Sequence, residues 1–339
     1  MRIVWSMGDP HGIGPEIILR SFLKLQESGH TFLVTGSQAV LEHYNALYDL
    51  RISIQSVTTP SGLMPCCQGT LPVLSTGEPR NFQPGTISAE AGELAVRSVI
   101  RAAELCRDGY CDALTTAPLH KEALSRAGYT EHGHTEILGN IFGIIAPTML
   151  FVDPVSDIRV ALATIHQPIQ IVPELIRNMK LDHFLTNLAR SLTSDFALAK
   201  PSIAILGLNP HASDGGIMGT EEQEIIEPAI RRLATTINIS GPFPADGFFG
   251  AGLYRNYDCT VAMYHDQGLL PFKLLAFETG VNVTLGLPII RTSPDHGTGF
   301  DITGQGIASK RSFIEATRMA ISIAENRRTA NHRHHDLIY

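Results

Sequence analysis

Short apolar runs of strand length alternate along the chain with stretches whose apolar positions recur at helical spacing. The first run, Arg2 to Met7, ends in the turn Gly8-Asp9-Pro10-His11-Gly12-Ile13-Gly14-Pro15-Glu16. The periodic stretch from Glu16 to Leu23 then predicts a helix, with Pro15 suited to its first position and Glu16 to its positive start. Further strands are predicted near 32–35, 52–57, 113–116, 148–152, 160–164, 202–206, 260–264 and 282–285, and helices near 38–48, 89–106, 174–192, 221–235 and 312–326. Within 89–106, Ala91, Leu94, Ala95, Val99, Ala102 and Ala103 share one face, the mark of a buried helix. Strands alternating with helices predict an α/β fold with a largely parallel sheet. Pro60 to Gly69 reads as a loop, and Arg327 to Tyr339, with His332, His334 and His335, as a solvated end.

Composition narrows the classes. The 339 residues suffice for two domains, or one large α/β unit, at ~150 residues per domain. With 44% apolar and 17% charged residues the chain can bury a core, which excludes a disordered or coiled-coil protein. A net charge of -7 with no basic run speaks against nucleic acid as a partner. No apolar run reaches the ~18 residues of a membrane span, and the start of the chain is too short and polar for a signal peptide. The five cysteines form no CxxC pair, so the expectation is a cytoplasmic protein with neither disulfides nor a cysteine zinc site. Cys66 and Cys67 fall on the expected loop, where a free cysteine is a small hydrophobe before it is a functional thiol.

The chemistry collects where predicted strands end, the place where α/β sheets hold ligands. Three apolar strands run out into Thr164-Ile165-His166-Gln167-Pro168, Gly207-Leu208-Asn209-Pro210-His211 and Met263-Tyr264-His265-Asp266-Gln267-Gly268. Two readings stand side by side: three imidazoles converging on one divalent cation with positions open for substrate, or three histidines each bracing its own loop. The block from Tyr264 to Gly306 carries Lys273, Asn282 and Arg291, which in an apolar setting favour an anionic ligand; surface charge is the alternative. In the same block, Asp295-His296-Gly297-Thr298-Gly299 forms a glycine-rich turn suited to a flat or phosphorylated group. Gly133-His134-Thr135-Glu136 opens a predicted helix, and Lys121 follows the strand end Leu114-Thr115-Thr116; together they can take a phosphate or carboxylate. Capping by Thr135 is the plainer alternative. The Gly8–Glu16 turn can hold an anion or simply close tightly. A GxGxxG fingerprint, a GxxxxGK[ST] loop and a GxSxG elbow are all missing from the chain.

Taken together, GDPHGIGPE, TTAPLHKEAL, GHTE, LNPHASDGGIMGTEE, GPFPAD, YHDQG and GVNVTLGLPIIRTSPDHGT resemble, in order and spacing, the 4-hydroxythreonine-4-phosphate dehydrogenase family of vitamin B6 biosynthesis. The resemblance implies a two-domain fold like that of isocitrate and isopropylmalate dehydrogenases, with a central cleft. One domain would span about 1–134 and 270–339 on the cofactor side, and the other 135–269 with the metal ligands and dimer contacts. It implies a homodimer with a divalent metal (zinc, magnesium or cobalt) held by His166, His211 and His265 and shared between subunits. His134, Thr135, Lys273, Asn282 and Arg291 become substrate contacts, and His296, Gly297, Thr298 and Asp301 the adenosine side of an NAD or NADP site. Asp246 and Lys121 match polar positions near the family's active site, with proton transfer the role for Asp246.

The implied reaction is oxidation of the secondary alcohol of 4-phosphooxy-L-threonine by hydride transfer to NAD. The 3-keto acid then loses CO2 to give 3-amino-2-oxopropyl phosphate. Two departures bear on specificity: GTGFDITG stands where the family often has GTALELAG or GTAFDIAG, and Glu278-Thr279 precedes Gly280-Val281-Asn282. Relatives act on 4-phospho-D-threonate, 4-phospho-D-erythronate or an aromatic cis-dihydrodiol. The segment Met218 to Glu222 resembles the biosynthetic branch. A metal-dependent binding protein that kept the fold and lost turnover is the reading from another class.

Overall fold

The structure, a computed structural model, describes residues 1–59, 69–131, 133–145 and 147–336, with side chains as far as residue 330. Cys66 and Cys67 lie outside the described residues. In chain order the elements are β1 (Arg2–Ser6), α1 (Gly14–Leu25), β2 (Thr31–Gly36), α2 (Gln38–Leu47), β3 (Ser53–Val57), β4 (Thr70–Ser75), α3 (Ala89–Arg107), β5 (Ala113–Thr116), α4 (Lys121–Arg126) and α5 (His134–Phe142). There follow β6 (Thr148–Asp153), β7 (Ile158–Leu162), α6 (Val172–Asn178), α7 (Leu181–Phe196), β8 (Ser202–Leu206), α8 (Glu227–Leu233), β9 (Asn238–Phe243), α9 (Ala245–Gly250), β10 (Cys259–Ala262), α10 (His265–Ala276), β11 (Val281–Leu285), β12 (Arg291–Pro294) and α11 (Arg311–Asp336). The fold is α/β. No helix among the described residues is long and apolar enough to cross a membrane.

The chain divides into two compact units, Met1–Pro147 with Leu287–Glu325 and Thr148–Gly286 with Asn326–Tyr339. The first therefore joins an N-terminal and a C-terminal part. Residues 270–286, which the sequence places with that unit, belong instead to the second, because β11 pairs antiparallel with β6 (Asn282 opposite Phe151). The tail from Arg327 continues α11 as far as Asp336.

In the first unit all strands are parallel, in the order β3-β4-β2-β1-β5-β12. The long helix α3 shows why this unit is stable. Its N-cap Ser88 accepts from the Ala91 amide, a contact contributing about 1 kcal/mol. Its residues Val99, Ala102 and Ala103 are fully buried in one cluster with Val4, Leu33 and Leu114 of the sheet, and Ala95 is fully buried beside them on the helix. β4 escapes sequence reading because Pro72 lies inside it, and a proline cannot donate to a ladder.

In the second unit the order is β11-β6-β7-β10-β8-β9. β6 runs antiparallel to both its neighbours, while β7, β10, β8 and β9 are parallel. The helix predicted over 174–192 is two, α6 and α7, separated at Met179-Lys180. Helix α10 was hidden in the sequence by Gly268 and Pro271, both helix breakers. Gly268 is required by close approach: a Cβ there would lie 2.8 Å from Val160 Cγ1 and 2.9 Å from Ala262 Cβ, on the two strands α10 covers.

Candidate active site

The three histidine-bearing segments leave three adjacent parallel strands of the second unit, β7, β10 and β8, at the same edge. Hydrogen bonds tie the exits together. The Thr164 hydroxyl donates to the Met263 carbonyl at 2.6 Å. Gln267 accepts from the Met263 amide at 2.7 Å and donates to the Gly207 carbonyl at 2.6 Å. His166 and His265 meet with ring centroids 5.5 Å apart and line a pocket of about 280 Å³ with Thr164, Gln167, Tyr264 and Asp266. Asp266, whose carboxylate only accepts, holds His265 Nδ1 at 2.7 Å. With the neutral ring donating Nδ1–H to this carboxylate, Nε2 faces a ligand with its lone pair.

This pair fits a cation. A nitrogen about 2.1 Å from zinc puts its ring centroid about 3.2 Å from the ion and two tetrahedral rings about 5 Å apart, close to the separation here. Within one chain the convergence stops at two. Among the described residues no three His, Cys, Asp or Glu side chains are grouped to hold a metal, so His211 stands outside the pair. Its exit from the sheet is the longest of the three and turns left-handed from His211 to Asp214. Asp246 is exposed in the first turn of α9, a helix packed against the Pro210–Asp214 turn. Lys273 is half-buried in the last turn of α10. Asn282 on β11 buries its Oδ1 with no hydrogen-bond partner among the described residues, an acceptor open to a ligand donor.

A second cluster forms in the first unit around the end of β5, beside Arg291, the first residue of the parallel strand β12. Arg291 is buried, and its Nε and Nη2 both donate to Thr116 Oγ1, at 3.2 and 2.8 Å. Burial pushes its guanidinium down to about 9, with Glu136 acting in the opposite sense. His134 Nε2 lies 3.1 Å from the Ala117 carbonyl, which can only accept, so Nε2 carries the proton and Nδ1 the lone pair. Burial, reinforced by Arg291, holds its pKa well below the usual histidine range and keeps the ring neutral. Thr135 is buried in the first turn of α5 and does not cap it; the N-cap is Gly133, with no side-chain bond. Lys121 is exposed at the start of α4, whose N-cap His120 stacks on Phe300 at 4.8 Å.

The Gly8–Glu16 turn closes tightly, the plainer of its two readings. It is buried throughout, its Gly12 and Ile13 amides donate to Asp9 and Thr298 carbonyls, and the Asp9 carboxyl lies buried within it. That contact pins the turn to the segment of His296, Gly297, Thr298 and Asp301, of which Thr298 is buried and Gly297 and Asp301 exposed. Gln267, Thr116 and Glu136 escaped sequence reading; the motifs contain them, but only contacts assign them work.

Imidazoles gathered at parallel strand ends in the second unit, and a buried guanidinium beside a strand end in the first, mark an α/β protein of enzyme type. The sequence model of the family described as "Pyridoxal phosphate biosynthetic protein PdxA" matches residues 28–320, and the chain belongs to this family. A 4-hydroxythreonine-4-phosphate dehydrogenase of Prosthecochloris aestuarii is 58% identical over 328 residues, covering 95% of this chain and 97% of that one. A protein of Bradyrhizobium diazoefficiens provisionally named D-threonate 4-phosphate dehydrogenase is 38% identical over 94% of this chain and 95% of its own. The crystal structure of the Klebsiella pneumoniae 4-hydroxythreonine-4-phosphate dehydrogenase superposes with a TM-score of 0.83 at 36% identity, covering 95% and 98% of the two chains. The relatives are dehydrogenases, and this chain is an oxidoreductase of their family.

Proposed function

We propose that the chain oxidises 4-phosphooxy-L-threonine with NAD or NADP, giving a 3-keto acid that loses CO2 to leave 3-amino-2-oxopropyl phosphate. The substrate gives up a hydride to the nicotinamide and a proton to the site, and a proton replaces the lost carboxyl. The observation that carries this reading is the pairing of His166 and His265 over one pocket at the strand ends. Those two residues and His211 would hold a divalent cation (zinc, magnesium or cobalt) that polarises the substrate hydroxyl.

The chain's own residues position and discharge the substrate. Arg291, fixed by Thr116, presents a planar cation to a phosphate or carboxylate. Neutral His134 offers its Nδ1 lone pair to a substrate donor, and Thr135 its hydroxyl. Asn282 Oδ1 accepts from a substrate hydroxyl or ammonium, and Lys273 adds positive charge. Asp246 is the proton-transfer residue, and Lys121 a further catalytic position. His296, Gly297, Thr298 and Asp301 take the adenosine side of the cofactor.

The working form we propose is a cytoplasmic homodimer with the metal site shared between subunits. Its support is α10, which begins at His265 and leaves Leu270, Leu274 and Phe277 63%, 80% and 80% exposed on one stripe. An apolar stripe of this kind needs a cover, and a second copy supplies one. For the substrate, the 58% identity to a 4-hydroxythreonine-4-phosphate dehydrogenase, against 38% to the D-threonate relative, supports the biosynthetic assignment. The alternative is 4-phospho-D-threonate or 4-phospho-D-erythronate. Absorbance at the NADH band, with each phosphorylated acid and each divalent ion in turn, tests the proposal. Turnover of 4-phosphooxy-L-threonine that chelation abolishes is the expected result. Turnover confined to a threonate or erythronate phosphate would overturn the substrate, and full activity in chelated protein would overturn the metal.

A further inference from the structure

His211 is exposed, and its imidazole has no hydrogen-bond or ring partner among the described residues. Its aim therefore depends on the backbone beneath it. That backbone is costly: His211, Ala212, Ser213 and Asp214 have φ of 53°, 50°, 68° and 44°, four successive non-glycine residues in the left-handed region. Each such residue costs about 1 kcal/mol or more and persists only where its surroundings impose it.

The imposing contact is specific. Asn209, held extended before Pro210, donates its backbone amide to Glu222 Oε1 at 2.7 Å and its side-chain amide to Glu222 Oε2 at 2.9 Å. Glu222 is fully buried at the start of a π-helical turn (Glu222–Ile226), and Asn209 is its hydrogen-bond partner among the described residues. The same side-chain amide also donates to Glu221 Oε2 at 2.8 Å. Arg177 pairs with Glu221 and Glu224, and among the described residues no cation pairs with Glu222. Gly219, at φ +123°, lets this clamp close, since a Cβ there would lie 2.5 Å from Asn209 Nδ2. Burying a carboxylate with no ion pair costs stability, and a neutral residue would fill the space more cheaply.

We infer that Glu222, acting through Asn209, is the positioning residue for His211: the clamp holds the strained turn in the one form that presents this imidazole for a divalent cation. The inference rests on the metal reading above. It goes beyond it by assigning the second carboxylate of the MGTEE segment a task that no ligand contact would disclose.

The test measures divalent-ion affinity by chelator competition, and the visible absorption of the cobalt-loaded protein, for the whole chain and for E222Q, E222D, N209A and H211A. Glutamine keeps the shape of Glu222 but sets an amide against one of the two donors. We expect E222Q and N209A to weaken metal binding by roughly 10- to 100-fold, with a cobalt spectrum moved toward that of H211A. E222D, which restores the carboxylate, should recover part of the affinity. Where E222Q gives no soluble protein, N209A and E222D carry the test. Wild-type affinity and spectrum in these variants, with only a lowered Tm, would overturn the positioning role. If H211A itself binds metal as the parent does, the metal reading fails and takes this inference with it.

Discussion

Gln267 donates to the carbonyl of Gly207 at 2.6 Å, and so fastens the exit of β10, which carries His265, to the exit of β8, which carries His211. The same side chain accepts from the Met263 amide, so one residue serves two strand ends. Q267A should cost about 1–3 kcal/mol, the range for leaving buried polar groups unpaired. Q267E should be no better, because it turns an acceptor toward the Gly207 carbonyl. Urea midpoints of the two variants check this; wild-type midpoints in both would refute it.

Arg291 has an anchor of its own, the Thr116 hydroxyl, which fixes the direction of its guanidinium, and the proposed function makes it a substrate contact. R291K keeps the charge and loses the fork. Loss of charged hydrogen bonds of about 1.5–3 kcal/mol predicts a roughly 10- to 100-fold rise in KM for the phosphorylated substrate. Initial rates over a substrate series give the answer, and an unchanged KM would remove Arg291 from the substrate site.

His134 makes stability depend on pH. Its pKa is depressed by burial and by Arg291, whereas the unfolded chain titrates near ~6.5. Between those two values the unfolded state binds a proton that the native state does not. Native stability contributed here is therefore intact above ~6.5 and falls as pH drops below it, by at most about 1.4 kcal/mol per pH unit. H134N should flatten that part of the curve in denaturant titrations from pH 7 to 5. A variant curve as steep as the parent's would assign the slope to other groups.

The exposed stripe of α10 gives a prediction about assembly. L274D with F277D places two charges on it while leaving the buried Leu269 and Phe272 in place. Sedimentation should show the parent as a dimer and the double variant as a monomer. A dimeric variant would move the contact elsewhere.

Much of the architecture was readable as pattern. β5 and β8 fall where their apolar runs predict, and α3 buries the alanine and valine face that its spacing marks. The strand-end histidines stood out for the same reason, since a polar residue ending an apolar run is a local signal. What the sequence could not carry is which groups meet. β4 and α10 are made of segments with internal prolines, kept by pairing and packing that local propensity does not weigh. The sequence determined that imidazoles sit at three strand ends. Only the tertiary structure decided that His166 and His265 form the pair, that His211 rides on a left-handed turn, and that a buried Glu222 holds Asn209, two residues before it. The reason is that burial and hydrogen-bond partnership are properties of contacts between distant residues, and a carboxylate's letter is the same whether it faces water or an amide.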